Sequence, residues 1–201
     1  MKKKNCMISV LAAAILSCTL ISSCGSDPVY EPDAFDLAVM AFDPPYRVSY
    51  AKFDSIAQLI EGSHCELIVR CTVGERHESA EFEAPEGRLY TPYTLNVIET
   101  YLGEAGNTLT FNAAYGVIGD EVWRNYHAPL MKQGCEYLLF LRTDDSANNG
   151  GYWNAFLPLA VELLPDGTFT NEYAAYADVN LAEAAGSTDA LIAAIRDYCS
   201  N

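Results

Sequence analysis

Short runs of alternating apolar and polar residues are the feature that most limits how this chain can fold. Residues 67–73, 93–97 and 108–112 all repeat with a period of two, and residues 136–141 are almost continuously apolar. A period of two places successive side chains on opposite faces of a β-strand, so each run offers one face to a core. A short continuous apolar run suits a central strand. The sequence therefore predicts a mainly β fold.

Helical periodicity occurs only near the two ends of the predicted sheet. In residues 53–61 the apolar positions follow helical spacing, and Ser187 or Thr188 can cap a last helix whose buried stripe is Leu191, Ile192 and Ile195. A Pro-Asp-Gly turn at residues 165–167 closes a hairpin. We expect a β-barrel of five to six strands with one flanking N-terminal helix and one C-terminal helix.

The N-terminal residues form a second distinct pattern. Three lysines at positions 2–4 precede an apolar run over residues 8–21, and Ile21-Ser22-Ser23-Cys24 follows it. This order resembles the signal peptide and lipobox of a bacterial lipoprotein, which implies cleavage after residue 23 and lipidation of Cys24. A plain transmembrane anchor is the alternative, but the run is about 15 residues and a span needs about 20. We expect a lipid-anchored protein on the extracytoplasmic face of the bacterial cell membrane.

Charge and composition divide the remaining chain. Residues 24–50 are rich in Asp-Pro and Glu-Pro and predict a lipidated linker, although Phe35, Leu37 and Val39 are apolar enough for part of it to dock on the single barrel domain of residues 51–201. The net charge is −15, and losing the three lysines of residues 1–23 makes it −15 − 3 = −18. A surface with this negative charge repels the phosphates of nucleic acid, so we do not expect nucleic acid as a partner.

Four cysteines remain in the predicted domain, namely Cys65, Cys71, Cys135 and Cys199. Outside the cytosol they could form two disulfides in three pairings, or they could remain buried free thiols. A pair between Cys65 and Cys71 on one straight strand is excluded, because six strand steps span about 20 Å.

Three strand segments carry a resemblance to a known family. They are residues 67–70, residues 93–103 with their aromatic strand ending at Tyr101-Leu102-Gly103, and the run Gly134-Cys135-Glu136-Tyr137-Leu138. Together they resemble the netrin-like domain, the OB-type barrel of tissue inhibitors of metalloproteinases, over about half of the chain. The resemblance implies the barrel but not the inhibitory zinc chelation, because that needs a free N-terminal cysteine and Cys24 would be acylated.

Catalytic and metal-binding patterns are missing from the sequence. His77-Glu78-Ser79-Ala80-Glu81 lacks the second histidine of a zinc protease helix, and the polar loop at residues 144–151 lacks the last EF-hand ligand. Asp120 and Glu121 could act as acid and base, but 27 acidic residues make such pairs common by chance. We therefore predict no catalytic residue, no metal and no cofactor.

The candidate binding residues lie in the long segment between the third and fourth predicted strands. Tyr115, Trp123 and Tyr126 crowd residues 114–134, where aromatic rings could contact a protein or a glycan. Alternatively, the rings plug one end of the barrel. The sequence favours a non-enzymatic binding module whose ligand is open. The other hypotheses are an extracellular hydrolase that uses carboxylates and a loop-based protease inhibitor.

Overall fold

The structure is a computed structural model that describes residues 30–43, 53–82, 88–125, 127–145, 149–157, 159–170 and 187–200. Its helices are α1 (Ala34–Ala41), α2 (Ile56–Gly62) and α3 (Thr188–Ser200). Its strands are β1 (Leu67–Arg76), β2 (Ala80–Glu81), β3 (Leu89–Leu102), β4 (Thr108–Ala113), β5 (Tyr115–Ile118), β6 (Glu121–Arg124), β7 (Glu136–Thr143), β8 (Tyr152–Asn154), β9 (Val161–Leu163) and β10 (Phe169–Thr170).

Five strands close into a barrel in the order β1–β3–β4–β8–β7, with β7 returning to pair with β1. All of these pairs are antiparallel except the single parallel pairing of β4 with β8, at Phe111 and Tyr152. This order, with a parallel contact between the third and fifth barrel strands, is that of an OB-type barrel. The predicted fold class, a mainly β barrel with a helix near each end, is confirmed.

Strand β7 is the centre of the sheet because both of its edges are occupied. One edge pairs with β1 from Glu136 to Leu141, and the other is shared by β9 along its first half and β8 along its second half. The segment over residues 153–164 has a strand-like pattern that contains Pro158, and in the structure it contributes to two strands, β8 and β9. Each part pairs with a different stretch of β7.

The long segment at residues 114–134 contains regular structure as well as loop. Strands β5 and β6 form a two-stranded hairpin, with Gly119 at positive φ (+59°) in its turn. Because glycine has no Cβ, it adopts this conformation without steric cost.

Among the described residues, no helix is long and apolar enough to span a membrane.

Two apolar clusters fill the two sides of the β1–β7 pair. Inside the barrel Val69, Leu95 and Leu139 are fully buried and Tyr137 is nearly so, whereas Val97, on the same face of β3 as Leu95, is only partly buried. Outside it, alternate residues of the same strands pack with α2 and α3 through a second cluster. Strands buried on both faces read as continuous apolar runs, which accounts for residues 136–141.

Helices α3 and α1 both pack against the barrel, and the sequence explains where each of them begins or which face it buries. Helix α3 buries Leu191, Ile192 and Ile195, as its periodicity predicts. Helix α1 lies within the predicted linker and packs against β5 and β6. Asp33 caps its N-terminus in a capping box with Asp36, so the helix begins directly after Pro32 and avoids placing a proline in its interior.

The four cysteines of the domain are free thiols in the structure. Burial raises the pKa of the Cys65 thiol to about 11 and that of Cys71 to about 12. Such thiols remain protonated near neutral pH and pack as small apolar groups. Of the two alternatives that the sequence left open, the structure therefore has the free thiols.

Candidate functional site

The three aromatic residues predicted to bind a ligand differ in where the structure places them. Tyr115 is fully buried inside the barrel, Trp123 is half-buried on β6, and Tyr126 lies outside the described residues. Tyr115 therefore is a core residue, and its proposed role as a surface contact is corrected. The alternative that the sequence left open, a ring that fills the barrel, applies to Tyr115.

Hydrogen bonds explain why a tyrosine is accepted in that core. The Tyr115 hydroxyl donates to the Tyr93 hydroxyl at 3.2 Å and accepts from the Met131 backbone N–H at 2.9 Å. The Thr91 hydroxyl donates to the Tyr115 carbonyl at 2.7 Å. A buried polar group is tolerated when its hydrogen bonds are made, and burial raises the pKa of Tyr115 well above its ordinary value.

Trp123 belongs to a different aromatic group, on the outside of the barrel. Phe82 and Tyr90 stack at 4.8 Å between ring centroids and form its buried base, while Trp123 and Trp153 pack against them. Phe82 and Trp153 are 6.3 Å apart by the same measure. Each tryptophan lies under an arginine: Arg88 lies 6.0 Å from the Trp123 ring centroid, and Arg142 lies 4.9 Å from that of Trp153. We call Trp123, Trp153, Arg88 and Arg142 the Trp–Arg face.

Strand pairing positions these side chains. Arg142 on β7 is directly opposite Trp153 on β8, so both project from the same side of the sheet. Trp123 on β6 is opposite Gly116 on β5, where no side chain competes for the space. Arg88 immediately precedes β3, and its carbonyl accepts a hydrogen bond from the Phe82 N–H, which closes the β2–β3 connection.

The arginines of the Trp–Arg face differ from the other arginines that stack on aromatic rings. Arg76 stacks on Phe35 but is paired with Asp33 and Asp36, and Arg196 stacks on Tyr101 but is paired with Glu99 at 2.6 Å. Within the described part of the chain, neither Arg88 nor Arg142 has a carboxylate within ion-pair distance. Among the described residues their guanidinium donors are therefore not taken up by a carboxylate, although the protein is strongly acidic.

A further hydrogen-bond donor of this face is unused. The indole Nε1 of Trp153 is covered, yet it has no hydrogen-bond partner among the described residues. Buried tryptophan N–H groups usually find an acceptor. Among the described residues, the Trp–Arg face thus combines flat apolar rings with guanidinium groups that have no carboxylate partner and a covered indole N–H that has no acceptor.

Another groove lies elsewhere on the described structure and has a different character. It has a volume of about 770 Å³, and its walls carry two ion pairs, Arg70 with Glu136 at 2.5 Å and Lys132 with Glu162 at 2.6 Å. Each of these four charges already has a partner of opposite sign in the wall. A ligand would have to displace these pairs, so the groove is a weaker candidate than the Trp–Arg face.

The residues considered for catalysis or metal binding do not converge. Asp120 and Glu121 are exposed at the β5–β6 turn. Asp144, in the loop considered for calcium, is buried, and its carboxylate accepts from the Asn112 side chain at 2.9 Å. Across the described ranges, no group of three or more His, Cys, Asp or Glu side chains could hold a metal ion.

Sequence reasoning named Trp123 but missed the other three members of the Trp–Arg face. The available signal was weak: Arg142 directly follows the predicted strand of residues 136–141, and only the register of β7 and β8 makes it a neighbour of Trp153. Arg88 is positioned at this face by the β2–β3 connection, where its carbonyl accepts a hydrogen bond from the Phe82 N–H. The chain matches no protein-family model and no curated protein.

Proposed function

We propose that this protein is a lipid-anchored, extracytoplasmic binding module without enzymatic activity, and that it binds its ligand on the Trp–Arg face. The ligand is a protein or a glycan that offers an anionic group beside a flat apolar surface. The membrane is the second partner, reached through the lipid on Cys24. The single observation that carries the binding proposal is the pair of stacked arginines, Arg88 and Arg142, without a carboxylate partner in the described structure.

The position of this face in the barrel supports the proposal. OB-type barrels commonly bind along the second and third strands, between the loops that follow the first and fourth strands. Here those loops are residues 77–88 and 144–151, and the aromatic group of Phe82, Tyr90 and Trp153 lies beside them. This support is an analogy at the level of the fold. The netrin-like resemblance of the sequence is part of the same proposal.

The charges of the two arginines and of the whole protein further restrict the kind of ligand that could bind. Arginine over an aromatic ring keeps its planar donors free for bidentate contact with a carboxylate or sulfate. The protein as a whole carries a net charge of −15, so a densely charged polyanion is repelled. A ligand with isolated anionic groups, such as a uronic-acid-containing oligosaccharide or an acidic peptide segment, fits both conditions.

The experiment is a binding screen followed by matched variants. The mature protein is applied to arrays of neutral and uronic-acid-containing oligosaccharides and of acidic and neutral peptides, and the dissociation constant of each hit is measured by calorimetry. Hydrogen bonds to a charged group contribute about 1.5–3 kcal/mol, so Arg142→Gln and Arg88→Gln should each weaken binding by about tenfold or more.

Arg196→Gln is the matched control. Arg196 also stacks on an aromatic ring, but Glu99 occupies its guanidinium, so its loss should leave the dissociation constant unchanged. Thermal denaturation of all three variants tests whether they remain folded. Hits that bind the Arg88→Gln/Arg142→Gln double variant as tightly as the wild type would contradict this assignment of the site.

A further inference from the structure

Helix α1 buries Val39 and packs Phe35 against the core, but it also buries a charged residue and exposes two large apolar ones. Its Asp36 is buried with 4% exposure, whereas Leu37 and Met40 are 56% and 52% exposed. A helix packed on a soluble domain normally turns its apolar stripe inward and its charges outward. Leu37 and Met40 are separated by three positions, so they lie on one face of the helix.

The inward charges of α1 are neutralised by the barrel. Arg76 on β1 contacts Asp36 through Nη1 at 3.2 Å and Asp33 through Nη2 at 2.6 Å, and the Tyr30 hydroxyl also donates to Asp36. The outward positions of the helix are Ala34, Leu37, Met40 and Ala41. That outward face therefore has no charged side chain, although the whole protein is strongly acidic.

We propose that the outward face of α1, defined by Leu37 and Met40, lies against the surface of the lipid bilayer. This inference rests on the proposed lipidation of Cys24. From Cys24 to the first residue of α1 there are 34 − 24 = 10 residue steps, which span at most about 35 Å when fully extended. The anchor thus holds the helix within reach of the bilayer at all times.

Because the lipid anchor already attaches the protein to the membrane, a small apolar surface on α1 is sufficient for contact with the bilayer. Two exposed side chains give too little area for a stable contact between free molecules in solution. When one attachment is already made, however, the second is intramolecular and benefits from a high effective concentration. The bilayer is the partner that the anchor itself brings close, and an uncharged helix face meets no electrostatic barrier at its surface.

The test uses the full-length lipidated protein in phosphatidylcholine vesicles that contain a small fraction of a phosphatidylcholine with a photoreactive acyl chain. After flotation and irradiation, lipid adducts are mapped by mass spectrometry. We expect adducts on residues 34–41. Ile98 on β3, with 51% exposure, is the matched control for an exposed apolar side chain and should remain unlabelled.

A Leu37→Ser/Met40→Ser variant should float with the vesicles as the wild type does, while the adducts on α1 are lost. Its urea midpoint should equal that of the wild type, because both side chains are exposed. Flotation with equal labelling of α1 and Ile98, or with neither labelled, would overturn this inference while leaving the lipid anchor standing. A wild-type protein that does not float would instead contradict the proposed lipidation, and the inference with it.

Discussion

Asp36 in α1 and Arg76 in β1 form an ion pair between residues 40 positions apart in the sequence, with 3.2 Å between Oδ1 and Nη1. Arg76 also contacts Asp33 and stacks on Phe35, with 4.1 Å between its guanidinium carbon and the ring centroid. Asp36 is buried, so its charge depends on this one cation and on hydrogen bonds from Tyr30 and the Asp33 N–H. The pair ties a helix in the predicted linker to the barrel.

Replacing Arg76 by methionine should destabilise the protein. The change leaves the carboxylate of Asp36 buried without its cation, and removing one partner of a buried pair costs about 3–5 kcal/mol. The measurement is the free energy of unfolding in urea. Adding Asp36→Asn should recover part of the loss, because the uncompensated charge disappears. The control is Arg196→Met, whose pair with Glu99 is exposed, so its loss should change the free energy of unfolding much less. Equal effects of the two arginine changes would contradict this prediction.

Leu139→Ala should lower the free energy of unfolding by about 2–5 kcal/mol. Leu139 is fully buried inside the barrel, and its truncation removes apolar contacts and leaves a cavity. Ile98→Ala is the comparison, since Ile98 is an exposed side chain on β3 and should change stability by about 0.5 kcal/mol or less. Urea denaturation followed by circular dichroism measures both. Similar losses at the two positions would show that Leu139 is not in the core.

Alkaline pH should unfold the protein through its buried tyrosines. Burial raises the pKa of Tyr93 to about 12, above the ordinary tyrosine value of about 10. The contribution of Tyr93 to stability is therefore complete below pH 10 and is lost as the pH rises through 12, because the unfolded chain releases the proton first.

Tyr93→Phe should make that decline less steep. At neutral pH the variant should be less stable by about 1 kcal/mol, because Tyr115 loses the acceptor of its hydroxyl hydrogen bond. The difference from the wild type should then narrow between pH 10 and 12. Urea unfolding at several pH values, with tyrosine ionisation followed by absorbance, measures it. Parallel stability curves for the two proteins would exclude Tyr93 as a contributor.

Cys24→Ala should leave the precursor uncleaved and unlabelled by radioactive palmitate. The thiol at position 24 is the proposed attachment point of the diacylglycerol, and alanine has no group that can be acylated. Palmitate incorporation in cells expressing each form is the measurement. Cys18→Ala, which changes a cysteine inside the predicted signal peptide, is the control and should label as the wild type does. Equal labelling of the Cys24→Ala form would contradict the lipoprotein prediction.

The sequence by itself was enough to locate the barrel strands β1, β3, β4 and β7 and the helices α2 and α3, but not α1 or the β5–β6 hairpin. Alternation over residues 67–73 and 93–97 lies within β1 and β3, and the apolar stripe of residues 191–195 identifies the buried face of α3. These features are local, because side-chain periodicity follows directly from the geometry of a strand or a helix. The core positions Val69, Leu95 and Leu139 could be named for the same reason.

Tertiary structure decided which of these residues meet. Tyr115 and Trp123 look alike in the sequence, but barrel closure buries the first and leaves the second beside Arg88 on the outer surface. Arg142 becomes the neighbour of Trp153 only through the register of β7 and β8, and Asp36 turns inward only because Arg76 arrives from β1. Such pairs depend on contacts between distant segments, and a strand's period shows which of its faces is buried but does not identify the strand that pairs with it.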